Sequence, residues 1–324
     1  MGTARRSKSA EAFGCLLGLA LIGMAHPLGA ADADRMDDPA PPTIEFDDTT
    51  GAADPTDSTP ALELDAIPPF RASYGRSQLY LPPFFHGVDG RYDLLVHFHG
   101  MSSIQEGNVL RTQLNSAVVS VNVGMGSGPY EEAFRDPSVF ARLVSYSAHL
   151  IEKSGRAPGA HLGRVAVSAW SAGYGAVASL LRQAQNTRRL DAVLLEDGLH
   201  SDWADEKRRI VADPPLQKYV RIAEAAMRGE VLFAITHSSI PTDGYPSSTE
   251  TVGELLQLMN LERTPDLLTG PRGMQQLYTS DSGDLHVKGY EGIGVKDHID
   301  HIRAMSETVL PYLKARWEPR RQEP

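Results

Sequence analysis

Residues 164–177 read RVAVSAWSAGYGAV. The β-branched run Arg164–Ala169 leads straight into Ser171, and a helix-forming run begins within two residues of it. Small residues surround the serine: Ser168 three before, Ala172 just after, Gly173 two after and Gly175 four after. A hydroxyl presented on a strand-to-helix turn needs such neighbours, because the bend is tight and strained and bulky side chains there would collide. The serine then stands at a helix N-terminus, where free N–H groups and the helix dipole favour developing negative charge. The plainer reading is a serine that only caps the helix.

Short apolar runs flank this stretch on both sides. Tyr92–Phe98, Ala117–Val123, Ala192–Leu195, Val231–Thr236 and Leu285–Tyr290 read as further strands, short and β-branched as buried parallel strands are. Helical patterns lie between them, at Ser138–Lys153, Gly173–Ala184, Leu216–Gly229, Thr249–Asn260 and Ile299–Arg316. The last has Ile302, Met305, Val309 and Leu313 along one face. Strands alternating with helices predict an α/β chain: a single doubly wound, mostly parallel sheet flanked by helices. Ser77–Leu81 is expected as an antiparallel strand at one edge, and residues 198–215 as an insertion capping the site.

The ends of two other strands carry chemistry. LLVHFHGMSS, residues 94–103, ends a strand in His99-Gly100-Met101. His97 and His99, two apart, would share one face of a strand, a spacing able to hold a metal, but no motif supplies a third ligand, so neither metal nor other cofactor is expected. GYEGIGVKDHIDHIRAM, residues 289–305, follows the last strand with a glycine-containing loop and then His298. Histidine suits proton transfer because its ordinary pKa lies near neutrality.

Taken together these motifs resemble the α/β-hydrolases. Ser171 stands where that family has its nucleophile, in the elbow written G-x-S-x-G, with Ser168 replacing the first glycine. The resemblance implies an α/β-hydrolase fold and a serine hydrolase cleaving a carboxylic ester through an acyl-enzyme. It implies backbone N–H groups of Met101 and Ala172 as the oxyanion hole and His298 on the loop before the last helix as general base, with His301 the competitor. Asp197, directly after the strand AVLL, is the expected triad acid. Asp243, after the next strand, is the alternative, and Glu196 would project to the opposite side. An amidase or peptidase with the same triad, and a catalytically inactive binding protein on the same fold, are the rival functions.

The amino-terminal residues read differently. Arg5, Arg6 and Lys8 precede an apolar run, Ala12–Ala25, and then Gly29, Ala30 and Ala31, the order of a secretory signal peptide over 1–30. The run is short of the ~20 residues that span a bilayer, so no stable membrane insertion is expected after cleavage, an uncleaved anchor being the alternative. Cleavage near Ala30 would remove Cys15, the only cysteine. Residues 31–65, rich in Asp, Pro and Thr, read as a disordered acidic linker, and 66–324 as the catalytic domain. Of the net charge of −10, the linker alone carries nine Asp and two Glu against Arg35, and 66–324 is left close to neutral. No basic cluster suggests nucleic acid. The expected partner is a small-molecule or polymeric ester, met outside the cytoplasm by a secreted or periplasmic protein.

Overall fold

The computed structural model describes residues 67–318. The expected signal peptide over 1–30 and linker over 31–65 lie outside the described residues. In chain order the strands are β1 (Phe70–Tyr74), β2 (Ser77–Leu81), β3 (Arg91–Phe98), β4 (Ala117–Val121), β5 (His161–Trp170), β6 (Leu190–Glu196), β7 (Trp203–Asp205), β8 (Ile210–Val211), β9 (Leu232–His237), β10 (Thr264–Thr269), β11 (Gln275–Ser282) and β12 (Leu285–Tyr290). The α-helices are α1 (Ser102–Thr112), α2 (Ser127–Ala133), α3 (Pro137–Lys153), α4 (Tyr174–Leu181), α5 (Ala184–Thr187), α6 (Asp213–Met227), α7 (Ser248–Leu258), α8 (Val295–Arg303), α9 (Met305–Thr308) and α10 (Leu310–Trp317).

Ten strands form one sheet in the order β1-β2-β4-β3-β5-β6-β9-β12-β11-β10, and β7 and β8 form a separate hairpin. The six from β4 to β12 run parallel to their neighbours, and an antiparallel pair extends the sheet at each side. The parallel centre is buried on both faces, which is why its strands are continuously apolar. Alternation divides those side chains between two cores. Leu94, Val96, Val165, Val167, Val193 and Leu195 join α3, α4, α6 and α7 in the larger core. Leu95, Ala166, Ala192, Leu194 and Ala234 meet α1, α8, α9 and α10 on the other face. The doubly wound, mostly parallel architecture is therefore the one the sequence predicts.

Helix starts follow local chemistry. Asp136 accepts the Ser138 N–H at 2.9 Å and Pro137 opens α3, where its missing N–H costs nothing. Ser247 and Glu250 cap α7 reciprocally.

Several elements differ from the sequence reading. Ser77–Leu81 lies inside the edge, because β1 pairs with its outer side. The helix expected over 299–316 is three, broken at Ala304 and Val309. Pro311, in the first turn of α10, has no N–H to continue the ladder, and its ring excludes the carbonyl of residue 307. Ile302, Met305, Val309 and Leu313 are nonetheless all buried. Within residues 198–215 the chain forms the β7–β8 hairpin. No helix among the described residues is long and apolar enough to cross a membrane.

Candidate active site

β5 delivers Ser171. Trp170 is still extended, Ser171 has φ +50°, and a single 3-10 turn, Ser171–Gly173, runs on into α4. A non-glycine residue in that region is strained and is held there by its surroundings. Two glycines make room for it. A Cβ on Gly173 would strike the Phe98 carbonyl, and one on Gly198 would lie 2.7 Å from the Ser171 carbonyl oxygen and 2.9 Å from its nitrogen.

Ser168, the departure from the elbow pattern, has a partner. Its hydroxyl lies 2.7 Å from Nδ1 of His97, and both side chains are buried. Nε2 of His97 lies 2.7 Å from the His99 carbonyl oxygen. That oxygen can only accept, so Nε2 carries the proton and Nδ1 accepts from Ser168. Burial pushes the His97 pKa down to about 3, so the ring is neutral.

Through His97, the elbow strand therefore holds the turn after β3. His99 (φ +71°) and Gly100 (φ +103°) reverse the chain there, and the Asn122 amide donates to the Gly100 carbonyl at 2.8 Å. Met101 then caps the start of α1, and Ala172 is the second residue of the 3-10 turn. Their N–H groups stand at helical N-termini, where no preceding turn supplies an acceptor. Both ring nitrogens of His97 and Nδ1 of His99 are directed to Ser168, the His99 carbonyl and the Tyr130 hydroxyl, the last at 2.9 Å. Among the described residues no group of three or more His, Cys, Asp or Glu side chains is disposed to hold a metal.

Asp197 follows β6 immediately, with φ +44°. Oδ2 lies 2.7 Å from Nδ1 of His298 and accepts the Ser238 hydroxyl at 2.8 Å, while Oδ1 accepts the Ser238 N–H at 2.9 Å. Burial alone would raise the pKa of this carboxyl. Electrostatic interaction with nearby His301, the hydrogen bond and charge of His298 and the Ser238 N–H outweigh it and hold the group well below the usual carboxylate range. His298 sits in the first turn of α8, which begins at Val295, four residues before the sequence-predicted start.

Neither competing residue makes the Asp197–His298 contact. His301 is buried with Nδ1 2.8 Å from the Thr236 hydroxyl, and Asp243 is exposed. Glu196 is fully buried, in register with Trp170 on β5 and Thr236 on β9, and neither of its oxygens has a hydrogen-bond partner. Burial raises its pKa well above the ordinary value, so it stays protonated.

Two residues went unassigned in the sequence. Ser238 was hidden in a run of hydroxyl residues after β9. Trp170 carries no local signal beyond its place before the serine, and its indole N–H donates to the His298 carbonyl at 2.9 Å. The rim is apolar. Met125, Leu267, Ile293, Met101 and Val295 are the five most exposed large apolar side chains described, at 84, 79, 75, 63 and 63%. All except Leu267 lie at the turns after β3, β4 and β12, on the edge that carries Ser171 and Asp197.

Ser171 turns off β5, His99 and Gly100 off β3, and an Asp–His contact spans the ends of β6 and α8, in the chain order serine, acid, histidine. This is the arrangement that the resemblance to the α/β-hydrolases predicts.

No protein-family model and no curated protein sequence matches this chain. Solved structures resemble it at low identity. TT1662 from Thermus thermophilus is 17% identical, with 78% of this chain and 100% of that one covered and a TM-score of 0.43. The siderophore hydrolase EstB from Aspergillus nidulans is 15% identical, with 81% and 99% covered and a TM-score of 0.40. The carboxylesterase CesB from Bacillus subtilis is 10% identical, with 77% and 89% covered and a TM-score of 0.37.

Proposed function

We propose that this chain is an exported serine hydrolase that cleaves carboxylic esters. The observation that carries the reading is the 2.7 Å contact between Asp197 and His298, beside the elbow that bears Ser171. Asp197 accepts a hydrogen bond from the Nδ1–H of His298, which leaves Nε2 bare as a base. Ser171 Oγ attacks the ester carbonyl as its proton passes to Nε2. The N–H groups of Met101 and Ala172 stabilise the oxyanion. His298 returns the proton to the departing alkoxide, leaving an acyl-serine. Water, deprotonated by the same nitrogen, then releases the acid and restores Ser171.

Exposed Met101, Met125, Ile293 and Val295 favour an ester with an apolar acyl part, since clustered apolar exposure marks a surface used for binding. The amino-terminal basic, apolar and small-residue segments support export to the periplasm or the medium.

The test is hydrolysis of p-nitrophenyl butyrate by the wild-type protein and by Ser171→Ala, with circular dichroism as the folding control. Loss of turnover in a folded variant is expected. Undiminished turnover would refute the reading, and a wild-type protein active only on the matching anilide would replace esterase with amidase.

A further inference from the structure

Trp170 stands immediately before the proposed nucleophile and touches both halves of the proposed machinery. Its indole N–H donates to the main-chain carbonyl of His298 at 2.9 Å. Its ring lies 4.6 Å from the His298 imidazole, tilted by 31°. It also stacks on His99, with centroids 5.3 Å apart and planes within 14°. His99 in turn is edge-on to Tyr130 and lies 2.9 Å from its hydroxyl. The indole thus sits between the residue that opens the turn after β3 and the histidine on α8, while its own backbone leads into Ser171.

We infer that Trp170 is a positioning residue that fixes the first turn of α8 and the His99–Met101 turn against Ser171, and so holds the base and the oxyanion donors in one geometry. This rests on the serine-hydrolase reading. The bond to the His298 carbonyl sets the height of the imidazole, and contact with the ring sets its tilt. The same contact serves a second purpose during turnover. When His298 accepts the serine proton, the cation lies against an indole, the aromatic ring that attracts cations most strongly. His99, stacked on the same indole, is held towards its neutral form by burial and by the charge of His298. It therefore adds little opposing charge. A side chain that only filled space would need neither the N–H bond nor the ring contact.

The experiment compares Trp170→Phe, which keeps a ring and loses the N–H, with Trp170→Leu, which loses both. Rates are measured with p-nitrophenyl butyrate and normalised to active sites titrated with a fluorophosphonate. Displacement of reacting groups by about 1 Å costs on the order of 100-fold, so kcat should fall about 100-fold in Trp170→Leu and about 10-fold in Trp170→Phe. KM should stay within about twofold, because the lost interaction acts in the transition state rather than in binding. Partial rescue by phenylalanine is the signature of positioning. Wild-type kcat per titrated site in both variants, with Ser171→Ala inactive, would overturn the role of Trp170 and leave the esterase reading standing. Full activity in Ser171→Ala would overturn the reading itself.

Discussion

The carboxylate of Asp197 lies 2.7 Å from Nδ1 of His298, although 101 positions separate them in the chain. The contact exists because β6 and β12 end on the same edge of the sheet, with only β9 between them. Ser238, from the end of β9, adds two hydrogen bonds to the same carboxylate. Asp197→Asn keeps the shape but presents an amide that cannot hold the imidazole in the required tautomer. A fall in kcat of about 10⁴-fold is expected, as for the equivalent change in other triads. Asp243→Asn, at an exposed position, should leave kcat unchanged. Steady-state kinetics of the two variants decide between the carboxylates.

Ser168 stands where the family's elbow has glycine, and restoring glycine should harm the protein. Ser168→Gly would leave Nδ1 of buried His97 without its 2.7 Å partner. An unsatisfied buried polar group costs about 1–3 kcal/mol, and glycine within a strand adds roughly 0.5–1 kcal/mol. Urea denaturation should show that loss. Equal or greater stability would mean that the Ser168–His97 bond contributes nothing.

Much of this site was legible in the sequence because its parts are local. The strand into Ser171 and the small residues around it sit within fourteen positions, and His99-Gly100 directly ends a strand. Asp197 was readable because it follows β6 without a spacer. The choice of His298 over His301 rested on resemblance, and in the fold one faces Asp197 while the other faces Thr236. What could not be read depends on partners distant in sequence. The strands β10 and β11 extend the sheet where its faces are partly exposed, so TPDLLT and QQLYTSDS lack an apolar signature. The helix α1 buries Gln105 and Asn108, which removes the apolar stripe that would have announced it. The link between Ser168 and His97 spans 71 residues and leaves no local pattern.

Buried Glu196 gives a pH dependence whose sign is determined by its proton. Unfolded, the carboxyl ionises above the ordinary value of 4.5, whereas in the fold burial keeps it protonated well beyond that. The folded state then holds more protons, so stability falls as pH rises above 4.5 until the folded-state value is reached. The slope from this one group is about 1.4 kcal/mol per pH unit at most. Asp197 acts oppositely, its stabilisation being lost as pH falls, but it is common to both proteins. The stability of Glu196→Gln relative to wild type should therefore increase between pH 5 and 7, as roughly the linkage slope requires. A difference that is flat across that range would show that Glu196 ionises normally.

Gly198 packs its backbone against that of Ser171. Gly198→Ala introduces a Cβ 2.7 Å from the Ser171 carbonyl oxygen, closer than real contacts allow. The elbow must shift, and a displacement near 1 Å should lower kcat about 100-fold with a smaller change in KM. Kinetics of Gly198→Ala beside Gly128→Ala, where a Cβ meets nothing within 4 Å and φ is not positive, separate this clash from the general cost of removing glycine.

The central claim is tested most directly by mass-spectrometric mapping of a fluorophosphonate adduct on the wild-type protein. A single adduct on Ser171, formed more slowly in Asp197→Asn, is the predicted result. No adduct, or an adduct on another residue with Ser171 unmodified, would contradict the account.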